Sequence, residues 1–76
     1  MNIENALKHL TNEMKRLVGE RLIKKMLEVF ENEESARNWF YTHSVSFEEK
    51  RPYDYCIEGK IQEIENELEK IQYGVF

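Results

Sequence analysis

Apolar residues recur at helical intervals along most of this chain, and that rhythm limits the fold more than any other feature. Ile3, Leu7, Leu10, Met14 and Leu17 are spaced 4, 3, 4 and 3 apart, the interval at which side chains return to one face of an α-helix. Asn2 suits the N-cap of that helix, and the narrow stripe has the look of a coiled-coil seam. After Gly19 a wider apolar face follows, made of Leu22, Ile23, Met26, Leu27, Val29 and Phe30. The pattern predicts helices over about 2–18 and 20–31, either broken or continuous at Gly19. Asn32 reads as the next N-cap, with Glu33 and Glu34 where the helix dipole favours acids. Ala36, Trp39 and Phe40 form the inner side of a helix near 33–42. Residues 42–50 have no clear period and read as a loop anchored by Val45 and Phe47. Pro52 suits a first helical position, Tyr53, Tyr55, Cys56 and Ile57 a short helical piece, and Gly59 its C′ position. The last helix, about 60–72, carries Ile61, Ile64, Leu68 and Ile71, and Gly74 is its natural stop.

No stretch alternates with a period of two, so the expected fold is all-α: a compact single domain of four to five short helices. The expected core is Leu22, Met26, Phe30, Ala36, Trp39, Phe40, Ile57, Ile64 and Leu68. A chain of 76 residues buries only ~60% of its unfolded surface, and small scaffolds commonly add disulfides, metals or self-association. Cys56 is the only cysteine, which excludes an intrachain disulfide. His9 and His43 are far apart and no Cys/His cluster exists, which argues against a metal. Self-association remains, and the expectation is a homodimer through Ile3, Leu7, Leu10, Met14 and Leu17. The competing arrangement folds this helix back on its own bundle.

Charge and hydropathy narrow the function classes. No apolar run approaches the ~18 residues of a membrane span, and no signal peptide is evident, so a cytoplasmic protein with no membrane partner is expected. The lone cysteine fits a reducing compartment. Residues 1–31 carry six Lys/Arg against five Asp/Glu, and residues 32–76 carry five against ten. Neither half has the positive footprint that nucleic acid demands, so no nucleic acid is expected to bind this chain alone. The acidic half suits either solvation or a basic protein partner.

Catalytic chemistry finds no foothold. Ser35, Ser44 and Ser46 lack a motif around them, Glu33-Glu34 and Glu48-Glu49 are neighbours that do not share a helix face, and Gly19, Gly59 and Gly74 form no phosphate-cradling loop. The chain reads as a non-enzyme without a cofactor. His43 follows a helix end and reads as a partner for a terminal carbonyl. Trp39 and Cys56 read as buried core residues. Glu58, Glu63, Glu65, Glu67 and Glu69 surround the last helix as either a solvated face or an acidic contact. Tyr73, Val75 and Phe76 form an apolar chain end, where polar residues are usual. Such a tail either docks on its own bundle or inserts into another protein.

The ordered set Val29-Phe30, Ala36, Trp39-Phe40, Arg51-Pro52-Tyr53-Asp54, Glu58-Gly59-Lys60, Ile64, Leu68 and Ile71-Gln72-Tyr73-Gly74-Val75-Phe76 resembles the toxin-binding domain of the MbcA/ParS/Xre antitoxin family. The resemblance divides the chain into an N-terminal helical extension, 1–27, and an antitoxin-like domain, 28–76. Glu31 stands where the family often has Gly, Phe40 replaces the usual Leu, Glu48-Glu49 replaces a common Gly-Gly, and Tyr55-Cys56 replaces a Leu-Leu-like pair. The apolar exchanges repack the core, whereas losing loop glycines restricts the backbone near residue 49.

The resemblance implies an antitoxin of a type II pair that neutralises a RES-domain, NAD-depleting toxin, its C-terminal region covering or entering the toxin's active-site cleft. Relatives often carry an N-terminal helix-turn-helix domain, for which the residues before 28 are too few. The expected toxin contact is Tyr73, Gly74, Val75 and Phe76, with Arg51, Glu63 and Glu67 beside it. Fold likeness alone does not set function, so the rival expectation is a non-enzymatic helical adaptor or structural protein, such as a phage or sporulation component. Gene neighbourhood separates the two.

Overall fold

The computed structural model describes residues 2–74. Among them are four α-helices and no strand: α1 (Ile3–Phe30), α2 (Glu33–Phe40), α3 (Pro52–Ile57) and α4 (Ile61–Tyr73), with a 3-10 turn at Val45–Phe47 between α2 and α3. The first three starts and the last stop have local causes. Asn2 accepts from the Asn5 N–H at 2.8 Å and Asn32 from the Ser35 N–H at 2.8 Å, satisfying orphan donors of the first turn. Pro52 opens α3, where its missing N–H costs nothing. Gly74 closes α4 in the left-handed conformation, φ 68°.

Gly19 breaks α1. Its backbone is at φ 84°, ψ 164°, outside helical space, so α1 is two helices joined at one residue. The inward face nevertheless runs through Met14, Val18, Leu22 and Met26 on both sides of the break. Residues ahead of 28 are therefore part of the core. α2 contributes Ala36 and Phe40, α4 contributes Ile64 and Leu68, and Phe47 and Tyr55 complete the core. Thr11 is buried too, and its hydroxyl is used twice: it donates to Leu7 O at 3.0 Å and accepts from Arg37 Nη1 at 3.1 Å. A buried hydroxyl with both roles filled avoids the desolvation penalty of an unpaired group.

Three expected core residues differ. Ile57 is 56% exposed, because Pro52 and Tyr55 turn the short α3 inward and a residue two past Tyr55 points the other way. Phe30 and Trp39 are half-buried and pack on each other, ring centroids 5.2 Å apart. From Trp39 an aromatic chain continues to Phe47 (6.1 Å) and Tyr55 (4.8 Å), and such pairs add to the area they bury. Phe47 anchors the loop, but Val45 is exposed; the 3-10 turn rotates it away from Phe47. The loop closes through the Ser44 N–H to Lys50 O (3.0 Å) and the Glu49 N–H to Ser44 O (2.9 Å).

Glu31, Glu48 and Glu49 all lie at positive φ, 70°, 55° and 67°. The chain bends there with the left-handed geometry glycine supplies, at a steric cost that Cβ imposes.

Candidate functional site

α4 presents its glutamates to different surroundings. Glu65 accepts both guanidinium branches of Arg21, at 2.8 and 2.9 Å, and Glu69 pairs with Lys25 at 3.1 Å. Residues four apart share a helix face, so these two pin α4 to the second half of α1. The Arg21 hydrogen bonds hold the Glu65 carboxyl below its ordinary range. Glu58 is paired as well, with Lys50 at 3.2 Å and Lys60 at 3.4 Å. Glu63 and Glu67, also one turn apart, have no ion-pair partner among the described residues. The acidic surface expected over 63–69 is thus divided into a structural side and an unneutralised side.

At the end of α4, Tyr73 is 72% exposed. Of the two fates open to the apolar tail, this ring does not dock on its own bundle. With Gln72 it borders an open groove whose other wall is Arg21, Lys24, Lys25 and Glu28 of α1. The Gly74 N–H bonds back to Ile71 O at 3.4 Å, which turns the chain out of the helix. Val75 and Phe76, also expected in the contact, lie outside the described residues.

Arg51 sits elsewhere. Its Nε and Nη2 donate to the Asp54 carboxylate at 3.0 and 2.9 Å, and its backbone N–H donates to the same group at 2.9 Å. Those bonds hold the Asp54 carboxyl down to about 2, the Arg51 side chain contributing most. The guanidinium also lies over Tyr53, 4.9 Å from the ring centroid. Arg51 lines a groove with His9, Leu10, Glu13, Tyr41 and Tyr53. This groove shares no residue with the one at Tyr73, and Gly19 separates their α1 walls, so Arg51 and the Tyr73 ring line different grooves. The Tyr41–Tyr53 pair, centroids 5.4 Å apart, was not expected beside Arg51. The only signal for it in sequence is an aromatic just past each of two helix boundaries.

The sequence profile of the antitoxin Xre/MbcA/ParS C-terminal toxin-binding domain matches residues 27–74, more than half of the chain. The chain belongs to that family. No curated protein and no solved structure matches it. The toxin-binding domain match takes in the end of α1, α2, α3 and all of α4, so Arg51, Glu63, Glu67, Tyr73 and Gly74 fall inside it and Val75 and Phe76 outside.

The stripe expected to make a dimer lies ahead of the match, and the antitoxin fold splits it. Met14 is fully buried in its own bundle and Leu17 packs against that core, whereas Ile3, Leu7 and Leu10 are exposed, Ile3 at 79%. A seam using all five would have to pull Met14 out of the core, so the full-length stripe is not available on the surface as drawn from sequence. Cys56 is half-buried, its thiol directed at Leu17 O at 3.5 Å and pushed up in pKa by burial. His43 is exposed. Among the described residues no His, Cys, Asp and Glu side chains gather as three or more metal ligands, and no helix is long and apolar enough to cross a membrane.

Proposed function

We propose that this chain is the antitoxin of a type II pair, that it acts in the cytoplasm, and that it neutralises a RES-domain, NAD-depleting toxin by binding rather than by chemistry. The end of α4 and the tail form the inhibitory contact: Tyr73, Gly74, Val75 and Phe76 fill or cover the cleft that NAD needs. The observation that carries this reading is the Tyr73 ring, left in solvent on the last turn of the family's closing helix. Aromatic anchors that become buried at an interface commonly contribute ~2 kcal/mol or more each. Glu63 and Glu67, without an ion-pair partner among the described residues, suit a basic surface beside that cleft and tune the rate of encounter. Arg51, engaged by Asp54 in a separate groove, contributes at most a second, distant contact.

Removing residues 73–76 abolishes growth rescue in cells making the cognate toxin, while circular dichroism of the shortened chain retains the helical spectrum. Replacing Glu63 and Glu67 by Lys slows association and leaves stability unchanged. Full rescue by the folded, shortened chain would move the contact to the helical surface around Arg51.

A further inference from the structure

Gly19 joins two helices with no loop between them. Its φ of 84° and ψ of 164° lie in a region essentially reserved for glycine. A Cβ added there would meet nothing within 4 Å, so the constraint on this position is the backbone angle and not crowding. The flanking residues, Lys15-Arg16-Leu17-Val18 and Glu20-Arg21-Leu22-Ile23, are mostly ordinary helix formers. The non-helical angles of Gly19 interrupt the backbone hydrogen bonds that an unbroken helix would run across it, and Leu17 O faces the Cys56 thiol instead. Local energetics therefore favour a straight α1.

What holds the bent form is the docking of the arm Ile3–Val18 on the bundle. Thr11, Met14 and Val18 are buried there. Arg37 donates to Thr11, the Tyr41 hydroxyl donates to Leu10 O at 3.1 Å, and Lys15 pairs with Glu33. None of these contacts requires that arm and bundle belong to the same molecule. We propose that the arm is an exchangeable element hinged at Gly19, and that its alternative partner is the bundle of a second copy of this chain. Straightening α1 in two copies lets each arm dock on the other bundle, with every arm–bundle contact kept and the helical hydrogen bonds across residue 19 regained in both. A hinge of one residue with no loop around it invites this kind of exchange. The occupant is a second copy because the surface the arm leaves is complementary to the arm's own Leu10, Thr11, Met14 and Lys15. Met14 then stays buried in a dimer, which the surface seam expected from sequence does not allow. The proposal does not depend on the antitoxin reading.

The test compares three chains by size-exclusion chromatography with light scattering: the natural chain, Gly19→Ala, and a synthetic chain with D-alanine at position 19. L-Alanine disfavours the bent angles and D-alanine accepts them. The expected result is a dimer association constant raised on the order of tenfold to a hundredfold by L-alanine, a predominantly monomeric D-alanine chain, and similar helical spectra for both. A folded monomer for Gly19→Ala overturns the proposal. If Gly19→Ala does not fold, complementation between two chains with the natural hinge decides. Met14→Asp spoils one copy's arm and Phe40→Asp the other's bundle. Recovery of helical signal on mixing supports exchange, and failure to recover it overturns it.

Discussion

The start of α1 and the whole of α4 carry nearly the same apolar rhythm, and the fold treats them differently. In α4, Ile64 and Leu68 are fully buried and the helix is pinned by Glu65 to Arg21 and Glu69 to Lys25. In α1, Ile3, Leu7 and Leu10 stand exposed, and burial begins only at Thr11. The helix ends offer a second contrast. α1 stops on Glu31 at φ 70° and α4 on Gly74 at φ 68°, the same left-handed geometry built from opposite residue types. A periodic stripe says which side of a helix will be covered if anything covers it. Whether anything does depends on where the neighbouring elements stop.

The sharpest way to break the first contrast is truncation on each helix. Leu68→Ala should destabilise by ~2–5 kcal/mol, since it empties a filled core position. Leu7→Ala, at an exposed site, should stay within about 0.5 kcal/mol. Urea unfolding of both variants gives the comparison, and an equal loss at Leu7 would mean that the arm is covered in solution.

The second contrast gives smaller, opposite effects. Glu31→Gly should stabilise by about 0.5–1 kcal/mol, because glycine reaches positive φ without Cβ strain, less its extra entropy in the unfolded chain. Gly74→Ala should cost ~1 kcal/mol for the same reason reversed. Thermal melts read both, and a stabilising Gly74→Ala would show that α4 does not need its left-handed stop.

Acid separates the two sides of the molecule most gently. The Asp54 carboxyl, bound by Arg51 at the start of α3, titrates at about 2 instead of its ordinary 3.8. A folded-state pKa below the unfolded one stabilises fully above the unfolded value and loses that contribution as pH falls through the folded value. The natural chain should therefore lose stability between 3.8 and about 2 more steeply than Asp54→Asn does. Chemical unfolding at stepped pH checks the slope. Equal slopes would mean that the other carboxyls held down by cations, Glu13 by Arg16, Glu58 by Lys50 and Glu65 by Arg21, carry the acid response instead.

Much of the fold was legible because its causes are local. Asn2 and Asn32 are short side chains that reach the orphan N–H groups of a first turn. Pro52 and Gly74 carry their preferred φ with them. The order of elements, the family resemblance, and the burial of Leu22, Met26, Phe40, Ile64 and Leu68 follow from period and residue type. Ile57 is exposed because a six-residue helix admits more than one rotation toward the core, whereas Trp39, at a helix edge, packs half-buried against the core as a core aromatic should.

Sequence by itself determined where the helices lie, the caps at Asn2 and Asn32, the Pro52 start and the Gly74 stop, since each depends on residues within a turn of one another. Only the tertiary structure decided that Glu65 and Glu69 serve the fold while Glu63 and Glu67 have no ion-pair partner among the described residues. It alone showed that Arg51 and Tyr73 lie in different grooves, and that the stripe from Ile3 to Leu17 divides at Thr11. Those outcomes depend on which surfaces meet across residues 44 positions apart, as Arg21 and Glu65 do. A left-handed Gly19 or Glu31 redirects the chain between them, and no period along the sequence records the angle of that turn.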